Sequence, residues 1–177
     1  MREKPDKKIT IRNGIITDLE MIVPIYNYYI ENTAITFETQ TFDTARCQIW
    51  FDQFKPAGPH RLLVIETEAG VIGYCCSTKF KDRQAYQTSV ETSIYLDPHL
   101  VGRGFGALLY RALFDELRQE ISLHRAYAGI TMPNPASVAL HKKLGFKQVG
   151  LFEQVGYKRD RFWDVTMYEN SLDSSAY

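Results

Sequence analysis

Residues 95–109 read Tyr95-Leu-Asp-Pro-His-Leu-Val-Gly-Arg-Gly-Phe-Gly-Ala-Leu-Leu. A run rich in β-branched and aromatic residues ends here. Glycines then recur at Gly102, Gly104 and Gly106, and an apolar helical stripe begins. That stripe comprises Leu108, Leu109, Ala112, Leu113 and Leu117, and it predicts an amphipathic helix over 104–120. The chain therefore passes from strand through glycine loop to helix. Glycines let the main chain approach a ligand closely, with several N–H groups pointing one way. Backed by a helix N-terminus, such a nest suits a phosphate or pyrophosphate. The same residues also fit a strand-to-helix connection with no ligand. The pattern is neither a Walker loop nor the dinucleotide G-x-G-x-x-G, and no β-α-β unit surrounds it.

Working outward, Ala85–Leu96 predicts a long strand. Along it Glu91, Ser93 and Tyr95 alternate with Val90, Thr92, Ile94 and Leu96, which places the two sets on opposite faces. Arg61–Glu66 and Val71–Lys79, joined at Ala69-Gly70, predict an antiparallel hairpin. Ile9–Arg12 reads as a first strand. Thr17 with Glu20 reads as the capping box of a helix carrying Leu19, Ile22, Val23, Tyr26 and Ile30, kinked at Pro24. A second helix from about Asp43 turns Ile49, Trp50 and Phe54 to the core. Downstream, Ala126–Thr131 reads as a strand and Ser137–Leu144 as a helix closed by Gly145; residues 147–168 supply two more strands. The order β-α-α-β-β-β-α-β-α-β-β implies an α/β (α+β) fold: one central mixed, mostly antiparallel sheet of about seven strands with helices on both faces. Residues 1–8 read as a frayed tail, 9–170 as a single domain and 171–177 as a C-terminal tail.

The 177 residues are 45% hydrophobic and 24% charged, enough apolar matter for a real core and too much for disorder. Lys plus Arg equals Asp plus Glu at 21 each, which argues against a nucleic-acid binder that works through phosphates. The start, MREKPDKK, has no apolar signal core behind it, and no apolar run approaches the ~20 residues that span a bilayer. Cys47, Cys75 and Cys76 form no disulfide framework, and the scattered histidines show no zinc spacing. A reduced, cytoplasmic protein without metal is the expectation.

A second motif is Met132-Pro-Asn134-Pro-Ala-Ser137-Val-Ala-Leu-His141-Lys-Lys143-Leu-Gly145-Phe146. Asn134 precedes a helix, and Ser137 and His141 share one of its faces. Taken alone, this stretch reads first as a capped short helix with a surface histidine. Taken together, the two motifs resemble the GNAT superfamily of acyl-CoA-dependent N-acetyltransferases: its pyrophosphate loop [RQ]-x-x-G-x-G-A, then its N-x-x-[AS]-x-x-x-[YH]-x-x-x-G-[FY] helix. Val101 stands where the loop's usual Arg or Gln falls. Further elements narrow the resemblance. They are Ile25-Tyr-Asn27, Asn32-Thr-Ala34 with Phe37-Glu38, Arg46 with Trp50-Phe51, the segment Phe80 to Tyr86, Val90-Glu91 with Ser93-Ile-Tyr95, and Val155-Gly-Tyr-Lys158 with Trp163-Asp164. These resemble the phosphinothricin and methionine sulfoximine N-acetyltransferase branch, from about Ile9 to Asn170.

The resemblance implies acetyl-CoA as co-substrate, a small amino-acid substrate, a homodimer and no metal. Glu91 becomes the general base for the amine, acting through water. His141 is the candidate acid for the leaving thiolate, or else a packing histidine. Ile94, Tyr95 and Leu96 would meet the acetyl-pantetheine arm, and Gly102, Arg103, Gly104, Phe105, Gly106 and Ala107 the pyrophosphate. Asn134 becomes a further coenzyme contact. Lys81, Asp82 and Arg83, with Glu91, Thr92 and Ser93, would hold the substrate. Phe37, Phe80, Tyr86 and Trp163 are candidate pocket walls. Acetylation of another amine (a polyamine, an aminoglycoside, a protein N-terminus) and a non-catalytic coenzyme-binding module are the competing readings.

Overall fold

Successive side chains of the central strands enter opposite layers, and both layers are covered in the computed structural model, which describes residues 9–173. Its elements are β1 (Thr10–Asn13), α1 (Leu19–Asn32), α2 (Thr44–Phe51), β2 (Leu62–Thr67), β3 (Gly70–Lys79), β4 (Ser89–Leu96), α3 (Phe105–Leu117), β5 (Arg125–Thr131), α4 (Pro135–Lys143), β6 (Lys147–Lys158) and β7 (Arg161–Ser171). One face of the sheet presents Leu63, Ile65, Cys75 and Val90 to Leu109, Leu113 and Leu117 of α3. The other presents Leu62, Val64, Tyr74 and Cys76 to Ile22, Ile25 and Tyr29 of α1 and to Phe54. Each fully buried Leu contributes about 1.5–3 kcal/mol. The sheet order is β1-β2-β3-β4-β5-β7-β6. Every neighbouring pair is antiparallel except β4 with β5.

The expected architecture is therefore present, with local corrections. Thr17 does not cap α1. It lies in a 3-10 turn, Ile16–Asp18, whose own cap is the Asp18 carboxylate, accepting from the Ile15 N–H at 2.8 Å and from Arg12; α1 follows with no side-chain hydrogen bond at its N-cap. Arg12 also reaches Glu66, so β1, β2 and the start of α1 share one cation. Helix α1 runs continuously through Pro24. Ile49, expected in the core, is exposed; Cys47 takes the inward place, because the Asp43 cap on Arg46 N–H sets the helix phase. Leu108 is exposed as well. Residues 85–88 are not strand, since a 3-10 turn at Gln84–Tyr86 precedes β4. The fold also runs past 170. Ser171 still pairs with Arg125, and Leu172 is buried. The expected tail at 1–8 and the last residues, 174–177, lie outside the described residues.

A buried polar chain ties four elements together. Thr92 Oγ1 of β4 donates to the Tyr127 carbonyl of β5 at 3.1 Å and lies 2.5 Å from the Tyr110 hydroxyl of α3. That hydroxyl lies 3.3 Å from His141 Nε2, and His141 Nδ1 donates to the Ser137 carbonyl within α4 at 2.8 Å. Buried polar groups are expensive to leave unpaired. Tyr110→Phe removes the hydroxyl between Thr92 and the imidazole while keeping the ring, and leaves His141 Nε2 without that partner. We expect it to cost about 1–3 kcal/mol in urea denaturation; an unchanged midpoint would mean that the chain contributes nothing to stability.

Candidate active site

Parallel pairing of β4 with β5 covers only Ser89–Glu91 against Arg125–Tyr127. Beyond Glu91 the strands part, and a slot opens that is lined by Thr92, Ser93, Ile94, Tyr95, residues 128–131, Asn134, Ser137 and His141. The Asp97 N–H donates to the Ile72 carbonyl, which fixes the ladder parity. With partners Tyr95↔Tyr74 and Ser93↔Cys76, the odd residues of β4 bond to β3. The main-chain groups of Ile94 and Leu96 therefore face the open side. Tyr95, expected to meet the acetyl-pantetheine arm through its backbone, instead spends its main chain on the β3 ladder. The Leu96 carbonyl already accepts from the Tyr29 hydroxyl at 2.7 Å.

On one side of this slot runs a groove of about 590 Å³, lined by Ile94, Tyr95, Leu96, Val101, Gly102, Gly104, Gly106, Ala107, Asn134 and Ser137 among others. Gly102 and Gly104 have φ of 80° and 87°, a left-handed conformation that a side chain would strain. The N–H groups of residues 102–106 have no main-chain partner among the described residues. They are free donors at the start of α3. Arg103 and Phe105 do not line the groove; Phe105 packs against the core. Asn134 caps α4, its Oδ1 accepting from the Ser137 N–H at 3.1 Å, and still borders the groove.

Across β4 lies a cavity of about 620 Å³. Its walls are Ile22 and Tyr26 of α1, Thr36, Phe37, Glu38 and Phe42, Cys47 and Trp50 of α2, Tyr74, Cys76 and Thr78 of β3, and Glu91, Ser93 and Tyr95 of β4. Tyr95 borders cavity, slot and groove alike. The wall segment 33–43 is held from several sides. The Asn27 amide donates to the Phe42 carbonyl and accepts its N–H, at 2.9 and 2.8 Å. Thr36 Oγ1 meets the Tyr26 hydroxyl at 2.9 Å, and the Lys158 ammonium donates to the Thr36 carbonyl at 2.8 Å. The Phe37 ring occupies the space over Gly156, where an added Cβ would clash.

Glu91 is the unusual group. Its carboxylate makes no hydrogen bond or ion pair among the described residues, and burial raises its pKa above the ordinary carboxylate range. Burial, with the Glu91 charge beside it, pushes the Cys76 thiol up to about 12, so that sulfur stays protonated. His141 is buried, and desolvation lowers its pKa. With Nδ1 on a carbonyl and Nε2 against Tyr110, its ring faces its own packing partners, not the groove. Among the described residues, no three His, Cys, Asp or Glu side chains are grouped to hold a metal.

Several expected substrate contacts stand elsewhere. Thr92 points to the α3 face, as strand alternation requires. Lys81, Asp82 and Arg83 lie on an exposed turn outside the cavity walls, Lys81 over the Phe80 and Tyr86 rings and Asp82 beside Lys79. Phe80 stacks on Tyr127, and Trp163 donates to the Lys158 carbonyl under Arg161. Of the four candidate wall aromatics, only Phe37 lines the cavity. Tyr26, Thr36, Phe42, Tyr74, Cys76 and Thr78 were not singled out as lining residues. A residue facing outward from one element signals nothing until another element covers it.

The sequence model described as the Acetyltransferase (GNAT) family matches residues 22–146. A phosphinothricin N-acetyltransferase of Streptomyces coelicolor is 42% identical over 167 residues, covering 93% of this chain and 97% of that protein. An L-methionine sulfoximine/L-methionine sulfone acetyltransferase of Pseudomonas aeruginosa is 33% identical over 164 residues, covering 93% and 95%. A phosphinothricin acetyltransferase of Sinorhizobium meliloti, solved in complex with acetyl-CoA, superposes with a TM-score of 0.88 at 31% identity, covering 95% and 90%.

A folded-state pKa raised by burial has a definite sign. Stability from Glu91 is fully present below the unfolded value of ~4.3 and is lost as pH rises through the folded value. Glu91→Gln should therefore be at least as stable as the parent at pH 7, with its advantage fading in acid. Thermal melts at several pH values test this; a lower Tm for the variant at neutral pH would contradict it.

Proposed function

The chain belongs to the acetyltransferase (GNAT) family, and on that premise we propose that it moves the acetyl group of acetyl-CoA to the α-amino group of a small amino acid of the phosphinothricin, methionine sulfoximine or methionine sulfone type. The observation that carries this reading is the meeting of two unlike spaces at Tyr95: a groove rimmed with free N–H donors, and a cavity holding an unpartnered carboxylate. The residues present fit the coenzyme. Gly102, Gly104 and Gly106 bring main-chain donors to the pyrophosphate, a contact that does not need the side chain replaced by Val101. The open-side N–H groups of Ile94 and Leu96 suit the pantetheine arm and the thioester oxygen as it gains charge.

In the transfer, the amine nitrogen forms a bond to the acetyl carbon and the C–S bond breaks. Glu91 takes the ammonium proton, directly or through one water, and its raised pKa brings it closer to the pKa of the amine. The nitrogen sheds its second proton to solvent as the C–N bond completes, and the departing thiolate takes up a proton from solvent. We assign His141 the packing role, holding α4 and the slot wall through Ser137. We infer that Lys81 and Arg83, on the exposed turn that follows the strand carrying cavity-lining Thr78, hold the substrate carboxylate.

We further infer a homodimer. Val149, Leu151, Phe152, Val155, Tyr157 and Phe162 are all exposed on the β6–β7 hairpin, with the Tyr157 and Phe162 rings 5.0 Å apart, and so many exposed apolar side chains on one hairpin suit an interaction surface. Cytoplasmic residence fits three free, buried thiols.

These readings predict specific losses. Gly104→Val should abolish measurable acetyl-CoA binding in calorimetry while the protein stays folded; unchanged affinity would displace the pyrophosphate from this loop. Glu91→Gln should lower kcat/KM about 10²- to 10⁴-fold near neutral pH and recover partly as pH rises and free amine accumulates. An equal loss at every pH would assign Glu91 a structural role. Light scattering should give twice the chain mass for the parent and the chain mass for Phe152→Glu with Phe162→Glu; a monomeric parent would end the dimer assignment.

A further inference from the structure

The stretch Val155-Gly-Tyr-Lys158 with Trp163-Asp164 lines neither the cavity nor the slot nor the groove. It builds the end of the β6–β7 hairpin and ties that end to the chain after α1. Asp164 Oδ1 accepts from the Gln154 N–H at 2.8 Å, and the Trp163 indole donates to the Lys158 carbonyl at 2.8 Å, so the main chain around Lys158 is held from both strands. Three contacts then leave the hairpin. The Phe37 ring lies over Gly156, the Arg159 guanidinium donates to the Glu31 carbonyl at 2.8 Å, and the Lys158 ammonium donates to the Thr36 carbonyl at 2.8 Å.

Lys158 is the costly member of this set. It is buried, and its ammonium is met by a main-chain carbonyl and not by a carboxylate. An unbranched apolar side chain would fill the same place without desolvating a charge. The carbonyl that it holds sits at a junction. Thr36 Oγ1 meets the Tyr26 hydroxyl at 2.9 Å and accepts from the Glu38 N–H at 3.3 Å. The Tyr26 ring in turn packs edge-on against Tyr95, where cavity, slot and groove meet. Neither hydrophobic layer draws a residue from 33–43, so polar contacts give this wall its shape. The groove end of the segment has other anchors. Thr33 donates through its N–H and its hydroxyl to the Tyr29 carbonyl, and the Thr131 hydroxyl donates to the Ile35 carbonyl. Lys158 therefore bears on the cavity wall and not on the groove.

We propose that Lys158 is a positioning residue for the acetyl acceptor: through the Thr36 carbonyl it fixes the Thr36–Glu38 wall of the cavity, from a hairpin that does not itself line that space. The proposal rests on the α-amine acetylation read above.

The experiment measures KM and kcat for L-methionine sulfone and L-phosphinothricin at saturating acetyl-CoA, and acetyl-CoA affinity by calorimetry, in the parent and in Lys158→Met. The variant keeps the stem and removes the ammonium. It should raise the amino-acid KM about tenfold or more, as expected for loss of a charged donor, and leave acetyl-CoA affinity within about twofold. Light scattering should give the same mass for both proteins. Lys158→Arg, which keeps a charged donor, should recover part of the loss. Tyr26→Phe breaks the other side of the Thr36 junction and should also raise the amino-acid KM; combined with Lys158→Met it should add little, because both act through one residue. An unchanged amino-acid KM in folded Lys158→Met overturns the proposal, as does an equal loss of acetyl-CoA affinity, which would mean general loosening. If Lys158→Met does not fold, an unchanged KM in Tyr26→Phe overturns it. A parent that binds acetyl-CoA but acetylates neither amino acid sinks the acetylation reading and this proposal with it.

Discussion

The structure turns on the parting of β4 from β5 immediately after Glu91. A continuous parallel ladder would consume the main-chain groups of Ile94 and Leu96 and close the space between groove and cavity. Instead the Thr92 hydroxyl takes over at the point of divergence, donating to the Tyr127 carbonyl. Tyr110 and His141 extend this link to α3 and α4, so the two walls of the slot are fixed by hydrogen bonds and not by sheet pairing. Beyond it the Leu96 carbonyl accepts from the Tyr29 hydroxyl, while the Ile94 and Leu96 N–H groups stay directed to the open side.

This arrangement separates two electrostatic environments by one strand. On the groove side, unpaired N–H groups and the start of α3 favour negative charge. On the cavity side, Glu91 is held without a partner and against burial. A carboxylate in that setting weakens the fold when ionised, and no structural bond compensates. Strain of this kind is characteristic of groups kept for chemistry. Cys76, a neighbour on the same wall, illustrates the contrast: burial there leaves a protonated thiol with no nucleophilic character.

Much of this was legible in the residues. Apolar runs in β2 and β3, alternation in β4, the stripe of α3 and the Asn134 cap with Gly145 at φ 88° placed strands, helices and loop without tertiary information. Alternation alone put Glu91, Ser93 and Tyr95 on one face, although Thr92 was then grouped with the substrate contacts against that same rule. The phase error at Ile49 arose where a cap outweighs hydrophobicity, since the Asp43 side chain bonds the Arg46 N–H; Thr17 read as a cap for a helix that begins only after the 3-10 turn holding it. The basic turn at Lys81 and Arg83 invited a binding role, but the turn is exposed and neither side chain lines the cavity. His141 had the spacing of an acid, but its orientation depends on Tyr110, 31 residues away, and no local pattern reports that. The cavity walls come from α1, α2, the 33–43 segment, β3 and β4, so their convergence is a property of the fold alone.

The central claim is that amine and thioester meet across β4, with Glu91 serving one and the glycine loop anchoring the other. Its most direct test is a crystal structure with a bisubstrate conjugate in which coenzyme A is joined through an acetyl bridge to the amine of methionine sulfone. The account predicts the pyrophosphate on the N–H groups of residues 102–106, the pantetheine arm along Ile94 and Leu96, and the amine nitrogen within one hydrogen bond or one water of Glu91. A conjugate seated in the groove with its amine directed away from Glu91, or with the slot between β4 and β5 empty, would contradict it.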